Sequence, residues 1–245
     1  MTCSMLKPSS PDDIIVVYIA VSNDPLLVHY ASQFALTYGK YSPGCRHRVI
    51  VVCNGGPLAP KMKSIFGGVP CEFYPRVNDG GWDISAYLDV ANKFDSKLQV
   101  CLGASVYFHR AGWLARLASA SNQFGPGMYG CFSSNMVRPH LNTTAFAVDP
   151  MFLRMHPPVR NKVERYNLEH GPQSLWRRIR QLGGATKLVT WDGCWEPEQW
   201  REPENILWKG TQENCLVFCN HTDKWAGATP QVRERWTRGA DRILV

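Results

Sequence analysis

The stretch "DDIIVVYIAVSNDPLLVHYASQFALTYG", residues 12–39, contains the unit from which the rest of the fold follows. It opens with a continuous apolar run, which is typical of a strand buried on both faces of a parallel sheet. Asp24 and Pro25 then predict the start of a helix, because Asp caps helix N-termini and Pro is accepted at the first helical position. Gly39 predicts the end of that helix. A strand followed by a helix is the repeating unit of an α/β protein.

The same alternation of strand and helix continues through the first hundred residues. The segments are a strand and glycine turn in "HRVIVVCNGGP" (47–57), a short helix in "APKMKSIFGG" (59–68), a short strand in "PCEFYPR" (70–76), a helix in "WDISAYLDVANKF" (82–94) and a fourth strand in "LQVCL" (98–102). Strands joined by helical crossovers are parallel. The sequence therefore predicts an α/β fold with a mostly parallel central sheet and helices on both faces.

The second half of the chain has a more irregular pattern. A strand passes into a helix in "TTAFAVDPMFL" (143–153), and "HGPQSLWRRIRQLGG" (170–184) is an amphipathic helix followed by a strand in "ATKLVTWD" (185–192). We predict one domain, with a nucleotide-binding half at about 14–110, a half for a second substrate at about 111–225 and a C-terminal tail at 226–245. A chain of 245 residues is long enough to bury the core of such a domain.

Composition limits the classes of protein to consider. The longest apolar run, residues 14–21, is too short to cross a bilayer, and the polar start does not resemble a signal peptide, so we expect a cytoplasmic protein. The nine cysteines lie mostly in apolar runs without a C-x-x-C pair, which favours buried reduced thiols over disulfides or a zinc site. The net charge of +7 favours anionic partners: nucleic acid, acidic lipid or a phosphate-bearing substrate.

Several common enzyme motifs are missing from the sequence. Neither G-x-G-x-x-G nor G-x-x-x-x-G-K-[ST] occurs, which weighs against a Rossmann dinucleotide site and a P-loop. Neither G-x-S-x-G nor H-E-x-x-H occurs, which weighs against the corresponding hydrolases. Polar segments nevertheless stand where this topology places a ligand site, at and near the ends of the strands.

These polar segments carry a resemblance to a known family. Their order along the chain is Ser22 and Asn23 after the first strand, the "CNGG" turn, "NDGGWDISAY", "YFHRAGWL", "RPHLNTTAFA" and "EHG". The order resembles the GT-A glycosyltransferases of bacterial and viral polysaccharide synthesis, in particular small family-2-like members and rhamnan-synthesis-type domains. The resemblance covers about residues 14–225 and is most specific in "GWDISAY", "GWLARL" and "RPHLNT".

The resemblance implies an enzyme that moves a sugar, of hexosyl type, from a nucleoside-diphosphate sugar to a hydroxyl of a glycan or other acceptor. In most members of the family the fourth strand ends in D-x-D, whose carboxylates hold a divalent metal on the diphosphate. Here "LGASVYF" (102–108) stands at that place and offers no carboxylate. We therefore expect transfer that needs no metal, or that Mn²⁺ or Mg²⁺ assists only weakly.

The resemblance and the predicted strand ends together suggest the donor-binding residues. They are Ala20, Ser22, Asn54, Asp79, Asp83, Ser105, Arg138, His140 and His221. Cationic groups would stabilise the charge of the departing diphosphate, from Arg138 with His140, His109 with Arg110, or His221 with Lys224. A structural role is open for several of them: Asp83 could cap the helix that follows it, and His109 could be a satisfied core histidine.

An inverting transfer needs a carboxylate that takes the proton of the acceptor hydroxyl. Glu169 in "YNLEHGPQSLWRRI" is the candidate base, since it lies in the region that resembles the acidic acceptor-side motif of the family. Its alternative role is to stabilise the N-terminus of a helix expected to follow it. Asp149 is the second candidate, although an Asp before Pro is typical of the start of a helix.

Two other classes of function stay open. A non-catalytic GT-A-like protein would bind a nucleotide or glycan without transferring it, which the missing D-x-D favours. A nucleic-acid-binding protein is favoured only by the charge, because no basic stripe interleaved with aromatic residues occurs, and we expect no nucleic-acid partner. The charge also agrees with peripheral association with an acidic membrane surface.

Overall fold

One large sheet organises the computed structural model, which describes residues 13–77, 79–134, 138–200 and 209–241. Its eight strands are β1 (Ile14–Val21), β2 (Arg48–Asn54), β3 (Cys71–Arg76), β4 (Leu98–Leu102), β5 (Gly127–Gly130), β8 (Ala145–Val148), β9 (Ala185–Val189) and β10 (Cys194–Trp195). A separate pair is formed by β6 (Ser133–Ser134) and β7 (His140–Leu141).

The spatial order of the large sheet is β3-β2-β1-β4-β8-β5-β9-β10. β3, β2, β1 and β4 are parallel neighbours, as are β5 and β9, whereas β8 is antiparallel to both β4 and β5, and β10 is antiparallel to β9. The predicted mostly parallel sheet is confirmed. The second half of the chain supplies four strands to it, so one sheet runs through both predicted halves.

Helices cover both faces of the sheet, as predicted. They are α1 (Leu27–Lys40), α2 (Pro60–Lys63), α3 (Trp82–Lys93), α4 (Trp113–Phe124), α5 (Pro150–Arg154), α6 (Lys162–His170), α7 (Leu175–Gln181), α8 (Asn220–Ala226) and α9 (Pro230–Asp241), with 3₁₀ turns at Ser64–Phe66 and Pro197–Gln199. Alternate residues of β1 enter two cores: Val16 and Tyr18 pack with α1 and α4, whereas Val17 and Ile19 pack with α3, α5 and α7.

The first helix begins later than the sequence indicates. Asp24 and Pro25 were predicted to open it, but α1 begins at Leu27. The Asp24 carboxylate instead accepts from the Leu26 N–H at 2.8 Å, and its carbonyl accepts from the Leu27 N–H at 3.0 Å. Asp24 therefore closes a turn between β1 and the helix, because a side chain that bonds two residues onward favours a turn.

The sequence reading missed α6, which carries several residues of the site. Asn161 caps it by accepting from the Glu164 N–H at 3.0 Å, and Gly171 follows its last residue. An N-cap Asn with a Glu three residues later and a Gly after the end is an ordinary helix signal. Residues 230–241 of the predicted tail also form a helix, α9.

The cysteines and the helices were examined for disulfides and for membrane spans. None of the cysteines among the described residues forms a disulfide, and five of them are buried: Cys53, Cys101, Cys131, Cys215 and Cys219. Cys3 lies outside the described residues. Among the residues that the structure describes, no helix has the length and apolar character that a membrane span requires.

Candidate functional site

A cavity of about 260 Å³ opens at the carboxyl ends of the parallel strands. Its walls are the ends of β1 and β2, the residues after β4 and the starts of α3 and α6. The lining residues are Ile19, Val21, Asn54, Trp82, Asp83, Ala104, Lys162 and Arg165. This is the edge of an open α/β sheet where ligands bind, and the volume suits part of a small ligand.

The segment after β4 is held by neutral groups. The Gly103 N–H donates to the Thr144 carbonyl at 2.8 Å, and a side chain at Gly103 would place its Cβ 3.2 Å from that oxygen. Tyr18 donates its hydroxyl to the Ala104 carbonyl at 2.7 Å, and Ser105 donates to the Asn220 side-chain oxygen at 3.0 Å. The strand exit thus joins β8, β1 and the start of α8 without a carboxylate of its own.

Asp83 and Arg165 form an ion pair on the cavity wall. The Arg165 Nε lies 3.1 Å from the Asp83 Oδ1, and one terminal nitrogen lies 3.4 Å from Oδ2. Burial raises the pKa of Asp83 and the nearby Glu169 adds to this, while Arg165 opposes it. Asp83 is not the N-cap of α3, since Gly81 holds that position, but its Oδ1 also accepts from the Ile84 N–H in the first turn at 3.0 Å. Asp83 therefore bonds both the start of α3 and Arg165.

Glu169 lies in the last turn of α6, a helix that the sequence did not predict, and precedes α7, the helix that was predicted to follow it. Its Oε1 accepts two hydrogen bonds from Thr143, from the backbone N–H at 2.9 Å and from the hydroxyl at 3.1 Å. Burial raises its pKa, but hydrogen bonds from His170 and Thr143 and the charge of His140 outweigh this and lower it to about 2. Glu169 is therefore ionised at neutral pH. Its described partners are Thr143 and His170, neither of which belongs to α7, so no described contact supports a role at the start of that helix.

His140 packs against the Glu169 side of the site. It is 1% exposed, and its Nδ1–H donates to the Arg138 carbonyl at 2.7 Å. Its ring meets the His170 ring edge-on, with 4.0 Å between centroids. Burial and the neighbouring His170 lower the pKa of His140 to about 4, so the ring is neutral at pH 7. One ligand atom each from His140, Glu169 and His170 lies within 4.8 Å of the others, which is the spacing of residues that could hold a metal ion.

Two predicted carboxylates lie away from the cavity. Asp79 accepts from Ser85 at 2.6 Å and from Arg76 at 2.9 Å, and it lines a separate polar surface cleft. Asp149 caps α5 through the Met151 N–H at 2.9 Å. Because β8 is antiparallel to β4, with Ala145 beside Leu102 and Val148 beside Gln99, Asp149 stands at the opposite edge of the sheet. The catalytic role of Asp149 has no geometric support.

Of the donor-binding residues predicted in β1, in β2 and near 138–140, only some line the cavity. Asn54 lines the cavity, but its amide donates to the Trp82 carbonyl at 3.2 Å and accepts from Arg76 at 2.9 Å. Ser22 donates to the Gly56 carbonyl at 2.6 Å. The Ala20 side chain is fully buried in the core, and Arg138 is exposed, with its carbonyl bonded to His140. Asn54 thus shapes the cavity wall, whereas Ala20 has no side-chain access to it.

The remaining histidines have different environments. His221 lies in the first turn of α8, one residue after the partner of Ser105, and it is close enough to Glu169 to feel its charge. His109 donates to the Cys215 carbonyl at 2.7 Å and stacks on Phe218 with 3.8 Å between ring centroids. His109 is therefore a satisfied structural histidine. Trp200 is fully buried and donates to the Trp195 carbonyl at 3.0 Å, so it packs in the core.

Sequence reasoning brought Glu169, His140, Asp83, Ser105 and His221 to one region, but it missed the residues that accompany them. These are Trp82, Thr143, Lys162, Arg165 and His170. Lys162, Arg165 and Glu169 are spaced by three and four residues, which places them on one side of a helix. That spacing would have revealed them once α6 was recognised from its capping residues.

Solved structures with a similar course of the chain are found, but no protein family and no curated sequence matches. Among solved structures, the galactosyltransferase LgtC in complex with donor and acceptor sugar analogs is 12% identical with a TM-score of 0.42, over 58% of this chain and 60% of that one. An active-site mutant of LgtC is 12% identical with a TM-score of 0.47, over 94% of this chain and 96% of that one.

A mannosyltransferase of Pyrobaculum calidifontis, in complex with GDP-Man and Mn²⁺, is 10% identical with a TM-score of 0.43, over 58% of this chain and 45% of that one. The matched region thus spans less than two thirds of the first LgtC structure and of the mannosyltransferase.

Proposed function

We propose that this protein is a glycosyltransferase that binds a nucleoside-diphosphate sugar in the cavity and transfers the sugar to a hydroxyl of a glycan or other acceptor. The observation that carries the proposal is the composition of the cavity: an aromatic and aliphatic wall, two cations and a nearby buried carboxylate meet at the carboxyl edge of a parallel sheet. The resemblance of the sequence segments to GT-A enzymes points to the same chemistry.

The cavity offers separate surfaces to the base and to the diphosphate of a donor. Ile19, Val21 and the Trp82 ring form an apolar wall suited to a nucleobase, which stacks well on an aromatic ring. Arg165 and Lys162 supply positive charge at the same cavity. Because the β4 exit has no carboxylate for Mg²⁺ or Mn²⁺, these cations and His221 would stabilise the leaving diphosphate, and the donor would bind without a metal.

Glu169 is linked through Thr143 to the strand exit at the edge of the proposed donor site. Thr143, which donates to Glu169, is next to Thr144, whose carbonyl accepts from Gly103 at the strand exit. An inverting reaction with Glu169 as the base stays a prediction. Its position supports that role, but a carboxylate with a pKa of about 2 is a weak base at neutral pH.

Binding without transfer is the alternative that two observations favour. The strand exit lacks carboxylates, and every described oxygen contact of Glu169 is with Thr143 or His170. The two functions share the cavity and differ only in turnover, so nucleotide binding has to be established first.

The test of the donor site compares a set of nucleoside diphosphates with the matching nucleosides in excess chelator. We expect at least one diphosphate to raise the Tm, with the nucleoside giving a smaller shift, because Arg165 and Lys162 act on phosphate. Equal shifts from both ligands, or none from either, would contradict a diphosphate site. A diphosphate shift that appears only with added Mn²⁺ or Mg²⁺ would contradict metal-free donor binding.

A further inference from the structure

We propose that His140, Glu169 and His170 bind one divalent transition-metal ion. Each residue offers one ligand atom, and these three atoms lie within 4.8 Å of one another in the interior beside the strand exit. The inference goes beyond the proposed function and shares Glu169 with it, but metal binding does not depend on nucleotide binding, because none of the three residues lines the donor cavity.

The hydrogen bonding of His140 leaves one ring nitrogen without a partner. Its Nδ1 donates to the Arg138 carbonyl at 2.7 Å, which makes Nε2 the nitrogen that carries the lone pair. The residue is 1% exposed, and Nε2 finds no hydrogen-bond partner among the described residues. A buried acceptor without a partner is costly, and a histidine whose other nitrogen bonds a backbone carbonyl is the usual form of a metal ligand.

The distance between Glu169 and His170 agrees with shared coordination. The His170 Nε2 lies 3.3 Å from the Glu169 Oε2, which is longer than a charge-assisted hydrogen bond of about 2.7–2.9 Å. Two ligands held about 2.0–2.2 Å from Zn²⁺ in a tetrahedral site are separated by roughly 3.4 Å. The second nitrogen of His170, Nδ1, is also buried without a partner among the described residues.

The other oxygen of Glu169 is already held in place. Thr143 donates to Oε1 through both its backbone N–H and its hydroxyl, which leaves Oε2 facing His170. Hydrogen bonds of this kind orient a metal-binding carboxylate and keep it ionised. Hydrogen bonds to Thr143 and to the Arg138 carbonyl therefore already orient Glu169 and His140 as ligands.

The donor set selects the class of metal. Two imidazoles and one carboxylate suit Zn²⁺, Mn²⁺, Fe²⁺ or Co²⁺, whereas Mg²⁺ and Ca²⁺ prefer oxygen ligands alone. Three protein ligands leave a position open for water or a hydroxyl.

The test measures Zn²⁺ and Co²⁺ binding to the purified chain, without nucleotide. We expect one Zn²⁺ per chain, a Tm that rises with Zn²⁺, and visible Co²⁺ bands typical of nitrogen and oxygen ligands. His170→Gln and Glu169→Gln should each weaken binding at least tenfold, because each removes one of three ligands. His29→Gln is the matched control, since His29 is exposed on α1, and it should bind as the wild type does.

Three results would overturn the proposal. They are the absence of a Zn²⁺ effect on the Tm, wild-type affinity in both cluster variants, and Co²⁺–thiolate charge-transfer bands, which would place the ion on cysteines. Because the wild-type Co²⁺ spectrum alone distinguishes imidazole and carboxylate from thiolate, the test holds even if a variant fails to fold. Nucleotide binding is measured separately, so failure of the metal site and failure of the donor site are distinguishable.

Discussion

Arg165 and Asp83, which are 82 positions apart in the chain, form an ion pair with Nε and Oδ1 at 3.1 Å on the wall of the cavity. The pair joins the start of α3 to the middle of α6, so the two helices that border the cavity are tied across it. A guanidinium that already has a carboxylate partner is positioned in advance for phosphate, but part of its charge is neutralised.

Because one member of the pair is a cation and the other an anion, we expect substitutions at Arg165 and Asp83 to change nucleoside-diphosphate affinity differently. Arg165→Met should weaken nucleoside-diphosphate binding about tenfold, roughly 1.4 kcal/mol, because it removes a phosphate contact. Asp83→Asn should leave binding unchanged or strengthen it, because it removes a negative charge from an anion site. Calorimetric titration measures both.

Lys40→Met is the matched control for the lost positive charge. Lys40 ends α1, whose start is at the cavity edge, so it lies toward the other edge of the sheet. Equal weakening by Lys40→Met and Arg165→Met would show a general effect of net charge instead of a phosphate site.

Replacing Trp82 by glycine should lower nucleotide affinity without a matching loss of stability. It has φ +49°, a left-handed conformation that is unfavourable for a large residue and that glycine adopts freely. Trp82→Gly should change the free energy of unfolding by less than about 1 kcal/mol, while base stacking worth roughly 1–3 kcal/mol is lost. Trp82→Phe should retain most of the affinity. If Trp82→Gly bound nucleotide normally, the base would lie elsewhere.

The turn before α3 predicts a strict requirement for glycine. A Cβ at Gly81 would lie 1.9 Å from the Val159 carbonyl oxygen and 2.6 Å from the Ser85 Cβ. Gly81→Ala should lower the free energy of unfolding by about 1–3 kcal/mol through overpacking. At Gly68 nothing lies within 4 Å of the added Cβ, so Gly68→Ala is the control and should be nearly neutral. Chemical denaturation of both variants checks the difference.

We expect His109 to make the protein less stable as the pH falls. Burial lowers its pKa below the usual 6.5, so as the pH falls below 6.5 the unfolded chain takes up a proton that the folded chain does not. Its contribution therefore reduces stability on acidification, by at most about 1.4 kcal/mol per pH unit. His109→Phe keeps the stacking on Phe218 and should make the decline between pH 7 and 5 shallower. An unchanged slope, equal to that of His29→Phe, would contradict this.

The strands and helices before residue 102 could be read from the sequence because each apolar run is followed by its own turn and helix signal. The place of β8 could not, since its antiparallel insertion between β4 and β5 is a long-range pairing that no local pattern encodes. The residues of the candidate site were likewise predictable only where a local pattern marked them. Ser105 was identified from its position after a strand, whereas Arg165 and His170 depended on recognising α6.

Asp79 and Asp149 show the limit of motif reading. Asp79 stands in the segment "NDGGWDISAY" that carried the resemblance, and Asp149 was the second candidate base. Each is occupied by local hydrogen bonds, to Ser85 and Arg76 for Asp79 and to Met151 for Asp149. Short acidic side chains often bond nearby backbone or side-chain donors, and a sequence does not distinguish such a carboxylate from one that faces a ligand.

Donor turnover by the wild type and by Glu169→Gln is the measurement that tests the central claim most directly. The two proteins are incubated with a panel of nucleoside-diphosphate sugars and hydroxyl acceptors, and the released nucleoside diphosphate and the sugar product are quantified. We expect the wild type to release nucleotide from at least one donor. Glu169→Gln should be slower by about two to four orders of magnitude with donor affinity nearly unchanged. Nucleotide binding without release from any donor would contradict a transferase and indicate a binding protein.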